Sequence, residues 1–425
     1  MRTLPKKKLM KLLNFLLNNI RRKPMPRFTC YILPFTFYLS LCTSLAQTLS
    51  PSAKVSLITI GPGQELYSSF GHSALWISDP TLGIDRNYNY GTFNFRTGNF
   101  YLKFLRGTLP YQIAVYPLSL EFPYWQADNR RVTEQILNLS NSQKQKLYNL
   151  LETNYLPQNR EYAYKFFYDN CSTRLRDMLQ AACGDSLQFS KHAIDGPAKS
   201  YRQWMNQYLG GKKWAQFGMN AAIGAPADAL ARPAQEMYLP NNLMKHLDRA
   251  KLGGKPLVQE TRVIFEPIIL PTPSIWQQLI LDSLLMPNGV FFVLFVIVFW
   301  VQKKKPALIN SSFRFDKLFF GFVGAWGCFV LLLWVATDHG VTNWNQNLLW
   351  LMPLHLPFAF LLGKPKYQPL LRVYVNVAFV LLIGIFVIGL VGMVWKQTQW
   401  IPDSSLFLWA LIINRLSAVK HRLAK

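Results

Sequence analysis

The sequence predicts a mixed α and β domain on the exported side of a membrane, followed by an α-helical membrane bundle. Three observations predict it. The chain begins with a basic stretch leading into an apolar run; its middle alternates period-2 and period-3.6 patterns; and beyond Leu284 it becomes a series of long apolar runs separated by basic loops. The chain has 425 residues, 50% hydrophobic and 15% aromatic, with 16% charged, against about 25% charged in an ordinary soluble protein. That composition excludes a disordered chain and is long enough for two or three units.

The formal charge of +25 invites a nucleic-acid reading, but the excess lies at the ends. Residues 1–27 hold nine Lys and Arg and no acid, and residues 302–425 hold thirteen basic against three acidic. Charge that flanks apolar segments attracts anionic lipid and sets topology. No basic stripe with interleaved aromatics occurs in the middle, so no nucleic-acid partner is expected.

Taken in order, residues 1–46 read as a secretory signal: Arg21, Arg22, Lys23 and Arg27 precede the apolar run Phe28 to Leu45, with cleavage expected after Ala46. Met25-Pro26-Arg27 would serve as an alternative start, and an uncleaved anchor would leave the next domain on the same side. Cys42 follows Leu41, which is bulkier than a lipidation site wants. Residues 47–265 form the exported domain, about 220 residues and large enough for a real core. Val55 to Ile60 reads as a strand, Gly61-Pro62-Gly63 as a turn, Ser73 to Ser78 and Asn87 to Phe95 as further strands. Ser140 with Gln143 makes a capping box ahead of Leu147, Leu150 and Leu151. A second helix opens near Cys171, with Leu175, Met178, Leu179 and Ala182 at helical spacing, and a third is expected from about Pro197 to Leu209. Residues 210–228, rich in Gly and Ala, read as a loop. Pro267, Pro271 and Pro273 mark a linker over residues 266–283.

Residues 284–425 read as a bundle of about five helices: Leu284 to Val301, Leu318 to Ala336, Leu348 to Leu362, Val373 to Trp395, and Ser404 to Leu416. The third and fifth are short of the roughly 20 residues a spanning helix needs, which leaves them open to being tilted, partly re-entrant or extended by flanking polar residues. Lys303, Lys304, Lys305, Arg314 and Lys317, then Lys364, Lys366 and Arg372, then Arg415, Lys420, Arg422 and Lys425 fall on alternate sides and mark cytoplasmic ends. This places residues 47–283 outside the cytoplasm, in agreement with the leader: a multi-pass protein of the bacterial inner membrane with its first domain in the periplasm.

Chemistry centres on Cys171. A disulfide to Cys183 is excluded if both lie on one helix, since twelve steps of about 1.5 Å separate them by roughly 18 Å, beyond the ~7 Å limit. A zinc site from His72, Cys171, Cys183 and His192 lacks any close Cys or His pair, so no metal and no cofactor is expected. Tyr168-Asp169-Asn170-Cys171-Ser172-Thr173-Arg174 instead places the thiol at a helix N-terminus, with Asp169 or Asn170 as cap. The helix dipole there favours a thiolate, and first-turn amides are open to an oxyanion. His72, in Gly71-His72-Ser73-Ala74-Leu75-Trp76-Ile77, is the candidate base; the bland alternative is a hydrogen-bonded core histidine on a strand.

The order GHSALWI, then Asn89-Tyr90-Gly91, then DNCSTRLRD resembles the circularly permuted papain-like fold of NlpC-like and lecithin:retinol-acyltransferase-like thiol enzymes, in which the His strand precedes the Cys helix. Over roughly residues 50–415 the chain is similar to the Lnb family of bacterial lipoprotein N-acyltransferases. That similarity includes Gly61-Pro62-Gly63, Asn159-Arg160-Glu161-Tyr162, and Thr337-Asp338-His339 leading to Asn345 and Leu348-Leu349-Trp350. The resemblance implies an α+β papain-like exported domain with Cys171 as nucleophile and His72 as base. No second His occurs between them to orient the base, and Asn89 is the choice for that role, an amide oxygen being able to hold an imidazole N–H. It further implies transfer of a fatty acyl chain from a phospholipid donor, through a Cys thioester, to the N-terminal amine of a lipoprotein with a lipidated cysteine. Asp338 and His339, at the membrane surface, are the candidate substrate-binding pair. The alternative is a membrane-anchored thiol peptidase or amidase of the cell wall, and a third reading is an assembly protein with an inactive thiol domain.

Overall fold

The computed structural model describes residues 48–269, 274–310, 312–395 and 406–424. The leader assigned to residues 1–46 lies outside them. The exported domain is built on β1 (Lys54–Ile60), β2 (His72–Asp79), β3 (Ile84–Phe93), β4 (Pro110–Tyr116), β5 (Val132–Leu137), β6 (Glu161–Ala163) and β7 (Val258–Phe265). They form a seven-stranded sheet in the order β7-β5-β1-β2-β3-β4-β6, every adjacent pair antiparallel.

Period-2 alternation gives this sheet two different faces. Val55 and Leu57 of β1, Leu75 and Ile77 of β2, and Tyr88 and Tyr90 of β3 join one core with Leu147 and Leu151 of α3 (Asn141–Tyr155) and Leu175 and Leu179 of α4 (Cys171–Cys183). Each of these fully buried aliphatic chains contributes about 1.5–3 kcal/mol through removal from water. Ile58, Ile60 and Val132 point the other way, against Trp125 of α2 (Leu118–Ala127), with Trp76 packed beside them. Between β3 and β4 lies the short α1 (Phe100–Leu105), with no buried residue.

The capping box at Ser140 and Gln143 forms as read, and the third helix is α5 (Tyr201–Tyr208). Residues 210–228 depart from the expected loop: they contain α6 (Lys213–Ala222), whose Phe217 is buried in the membrane bundle's core beside Phe320, Val323 and Trp350. After α7 (Pro240–Asp248) the chain returns through β7 to the sheet edge.

Among the described residues, three helices of the C-terminal region are long and apolar enough to cross a membrane: α8 (Pro287–Lys304), α9 (Arg314–Val335) and α11 (Gln368–Trp395). The expected third span is not one helix. Only α10 (His355–Leu361) is helical in it, after a 3-10 turn at Gln346–Leu349, because Pro353 and Pro357 deny backbone donors to a continuous helix. It nonetheless runs antiparallel beside α9. Gly327 faces Leu351, Gly324 faces Leu356, Gly321 faces Ala359, and Gly363 meets Phe313 at the far end. Broken backbone at this depth is tolerated where protein buries it. The fifth, α12 (Leu406–Ala424), is longer than read, and its Arg415 is buried. Arg415 and Arg422 both pair with Asp316 of α9 at 2.9 Å, so two of the charges counted for topology also serve packing.

Candidate active site

Helix α4 begins at Cys171 because Asn170 caps it. Asn170 is extended (φ −135°, ψ −171°); its side-chain oxygen accepts from the amides of Ser172 and Thr173 at 3.0 Å, while Thr173 Oγ1 accepts from the Asn170 amide at 2.8 Å. Asp169 does not cap: its carboxylate holds Arg174 through two bonds of 2.5 and 2.7 Å. Two first-turn amides are therefore engaged by the cap, and the amide of Cys171 is the first-turn donor that the cap leaves to an oxyanion.

Helix α4 packs on β2, so the buried Cys171 thiol sits beside the first residue of that strand, His72, near enough for each to act on the other's charge. Burial by itself pushes the thiol up, but the His72 charge, the hydrogen bond from His72 and the Ser73 amide outweigh it and hold Cys171 below an ordinary thiol. Burial likewise pushes His72 down, and the Cys171 charge with hydrogen bonds to Cys171 and Asn89 leaves it raised. Each member of the pair thus stabilises the charged form of the other.

Asn89 lies one strand over, and its Oδ1 is 2.6 Å from His72 Nε2. Its Nδ2 donates to Glu121 Oε1 at 2.7 Å, and Asn87 Nδ2 donates to the other oxygen at 2.5 Å. Glu121, on α2, thus fixes the rotamer of Asn89, and the chain Cys171, His72, Asn89, Glu121 is continuous. Arg130 is a further neighbour. It is buried, its Nε donates to the Gly61 carbonyl at 2.9 Å, its charge acts on both Cys171 and His72, and its Nη2 has no partner among the described residues. Neither Glu121 nor Arg130 was picked out from sequence. Each is brought in by an element distant along the chain, and neither sits in a motif.

Asp338 and His339 lie apart from the thiol, in the loop after α9. Asp338 Oδ2 is 2.7 Å from Lys165 Nζ, its amide donates to the Arg106 carbonyl at 2.8 Å, and His339 Nε2 meets the Leu105 carbonyl at 2.8 Å. Lys165 belongs to the turn whose amides and carbonyls close onto Asp169, two residues before the thiol. Among the described residues no three His, Cys, Asp or Glu gather as a metal site. His192, once a conceivable ligand, is in an exposed turn.

A mixed domain with an antiparallel sheet, followed by a helical region with apolar helices of spanning length, defines a membrane protein. Family models match in both parts: the Lnb N-terminal periplasmic domain over residues 43–207 and the Lnb transmembrane domain over residues 280–422. The chain belongs to the Lnb family. No curated protein and no solved structure matches it. Membership is consistent with an enzyme of lipoprotein maturation.

Proposed function

We propose that the protein is a membrane-bound thiol acyltransferase that moves a fatty acyl chain from phospholipid to the N-terminal amine of lipoproteins in the bacterial inner membrane. The observation that carries the reading is the Cys171–His72 pair at a helix N-terminus, with His72 bonded to Asn89. The Cys171 thiolate attacks a phospholipid ester carbonyl; the C–O bond breaks, a thioester forms, and the lysophospholipid oxygen takes its proton from the His72 imidazolium. The lipoprotein amine then attacks the thioester, His72 takes the amine proton, the C–S bond breaks, and the amide leaves with the thiolate restored. Thioesters yield readily to amines, and a buried thiol limits competing water. The Cys171 amide and Arg130 supply positive potential for the tetrahedral oxyanion.

Asp338 and His339 are proposed to act by position. Both are already bonded to protein, so their contribution to donor binding is to hold the loop after α9 against the exported domain. Intact mass spectrometry of the protein purified with its lipids tests the whole reading. A hydroxylamine-sensitive acyl adduct is expected on Cys171 and none on Cys171→Ser. Absence of any adduct, together with cleavage of cell-wall peptides, would favour the thiol peptidase instead.

A further inference from the structure

The segment between β3 and β4 exposes what soluble domains bury. Phe95 is 72%, Tyr101 82% and Phe104 56% exposed, with Phe93, Leu102 and Leu105 exposed beside them. Helix α1, Phe-Tyr-Leu-Lys-Phe-Leu, has five apolar residues in six and no polar face to turn to water. An apolar patch of this extent marks an interaction surface. Its charge is one-sided: Arg96, Lys103 and Arg106 occur, and no acid stands between residues 94 and 107. Basic residues near an anionic bilayer surface are attracted by about 1 kcal/mol each.

Position selects the occupant. The Asp338 amide donates to the Arg106 carbonyl and His339 meets the Leu105 carbonyl, so the segment is fastened to the loop that leaves the outer end of α9. Trp334 and Trp344 pair there at 5.3 Å, with Trp344 exposed, as aromatic residues do at a membrane–water boundary. From this patch a series of rings leads inward. Phe95 meets Phe93 at 5.0 Å, Phe93 meets Tyr111 at 5.2 Å, and Tyr111 stacks on Tyr164 at 4.3 Å. Gly91, at φ +95°, stands between Tyr164 and the thiol: a Cβ built there would be 3.9 Å from the Tyr164 ring and 3.9 Å from Cys171 Cβ. The Tyr162 hydroxyl would be 4.0 Å away as well, so the missing side chain leaves the Tyr164 ring in close reach of the nucleophile.

We propose that residues 93–106 enter the exported-side leaflet of the bilayer, and that the rings from Phe95 to Tyr164 guide an acyl chain from that leaflet to Cys171. The insertion stands independently of the chemistry; the guidance rests on the acyl-transfer reading.

Photocrosslinking in proteoliposomes of phosphatidylethanolamine and phosphatidylglycerol tests the first part. Tyr101→benzoylphenylalanine is compared with Leu82→benzoylphenylalanine, which lies in the turn at the opposite end of β3, a strand about 30 Å long. The expected result is an acyl-chain adduct at position 101 at least tenfold above that at position 82. Equal yields, or an adduct with a second copy of the chain, would overturn insertion. The second part is read from the double variant Tyr101→Ser, Phe104→Ser, both exposed and so safe for folding. Acyl loading of Cys171 from the bilayer is expected to fall at least tenfold, while loading from a soluble short-chain p-nitrophenyl ester and alkylation by iodoacetamide stay unchanged. Unchanged loading from the bilayer would overturn guidance. If the unaltered protein takes an acyl group from neither donor, the acyl-transfer reading fails, and the crosslink still decides insertion.

Discussion

At Cys171 burial and charge oppose each other, and charge wins. Each group shifts the other toward its charged form: His72 lowers Cys171 and Cys171 raises His72, both against the pull of burial. Alkylation of Cys171 by iodoacetamide should therefore rise with pH below the ordinary thiol range of about 8.5. In His72→Ala the midpoint should move up, because the two largest influences that oppose burial are gone and only the Ser73 amide and Ser172 hydroxyl remain against it. A midpoint unmoved by the substitution would make His72 a core histidine. Acyl loading should show the matching bell, lost in acid as the thiolate protonates and in alkali as the imidazolium gives up its proton. Asn89→Ala removes the acceptor that orients the ring and should lower loading by about 10²-fold, while Glu121→Gln should cost less, since an amide can still accept from one of the two asparagines. Equal losses in both would make Glu121 more than a prop. Cys171, His72 and Asn89 were legible in sequence because each sits in a local pattern: a capped helix start, a Gly-His strand start, a neighbouring strand. Glu121 and Arg130 were not, because only the sheet order and the return of α2 bring them near.

At the scale of elements, the glycines of α9 matter most. A Cβ on Gly324 would lie 2.1 Å from the Leu356 amide nitrogen, and one on Gly327 2.1 Å from the Leu351 carbonyl, whereas Gly384 of α11 has open space. Gly324→Ala must push the broken segment off α9 and should destabilise the protein by about 1–3 kcal/mol or more, read as a lower midpoint of thermal unfolding in nanodiscs. Gly384→Ala should not, since helix propensity alone favours Ala. Similar behaviour of the two would show that the close approach of α9 and α10 carries no weight. Apolar length disclosed the region as membrane bundle and marked the third segment as too short, but it could not place the break, because hydropathy counts residues and not hydrogen bonds. The prolines at 353 and 357 were the available signal.

Across the whole molecule, the exported domain is fixed to the bundle, not tethered by a linker alone. Phe217 of α6 is buried among bundle residues and contacts Phe291 and Trp326. Asn345 Nδ2 donates to the Ala221 carbonyl at 2.8 Å, and the Gly224 amide donates to the Val341 carbonyl at 2.7 Å. This joint was hidden in the stretch whose Gly and Ala content reads as loop, since the reason α6 is helical is the partner it packs on. A thiol held at a set height above the bilayer needs such a joint. The loop carrying Asp338 and His339 is its outermost part. Lys165 holds the Asp338 carboxyl below the usual carboxylate range, chiefly through their hydrogen bond, but Asp338 is largely exposed, so the pair adds little to stability. The double variant Asp338→Ala, His339→Ala should therefore unfold at nearly the same temperature as the unaltered protein. It removes the His339 bond to the Leu105 carbonyl and the Lys165–Asp338 pair, loosening α1 from the loop while the Asp338 amide stays on Arg106, and so should slow acyl loading onto Cys171 several-fold. Transfer from a preloaded thioester to a lipoprotein amine should be unchanged, because the bonds these two side chains make are to Lys165 and the Leu105 carbonyl and not to Cys171 or His72. Single-turnover loading and transfer, measured separately, distinguish these steps: an equal loss in both would mean that the loop shapes the active site itself, and no loss in either would leave Phe217 and Asn345 as the joint that sets the height of the thiol.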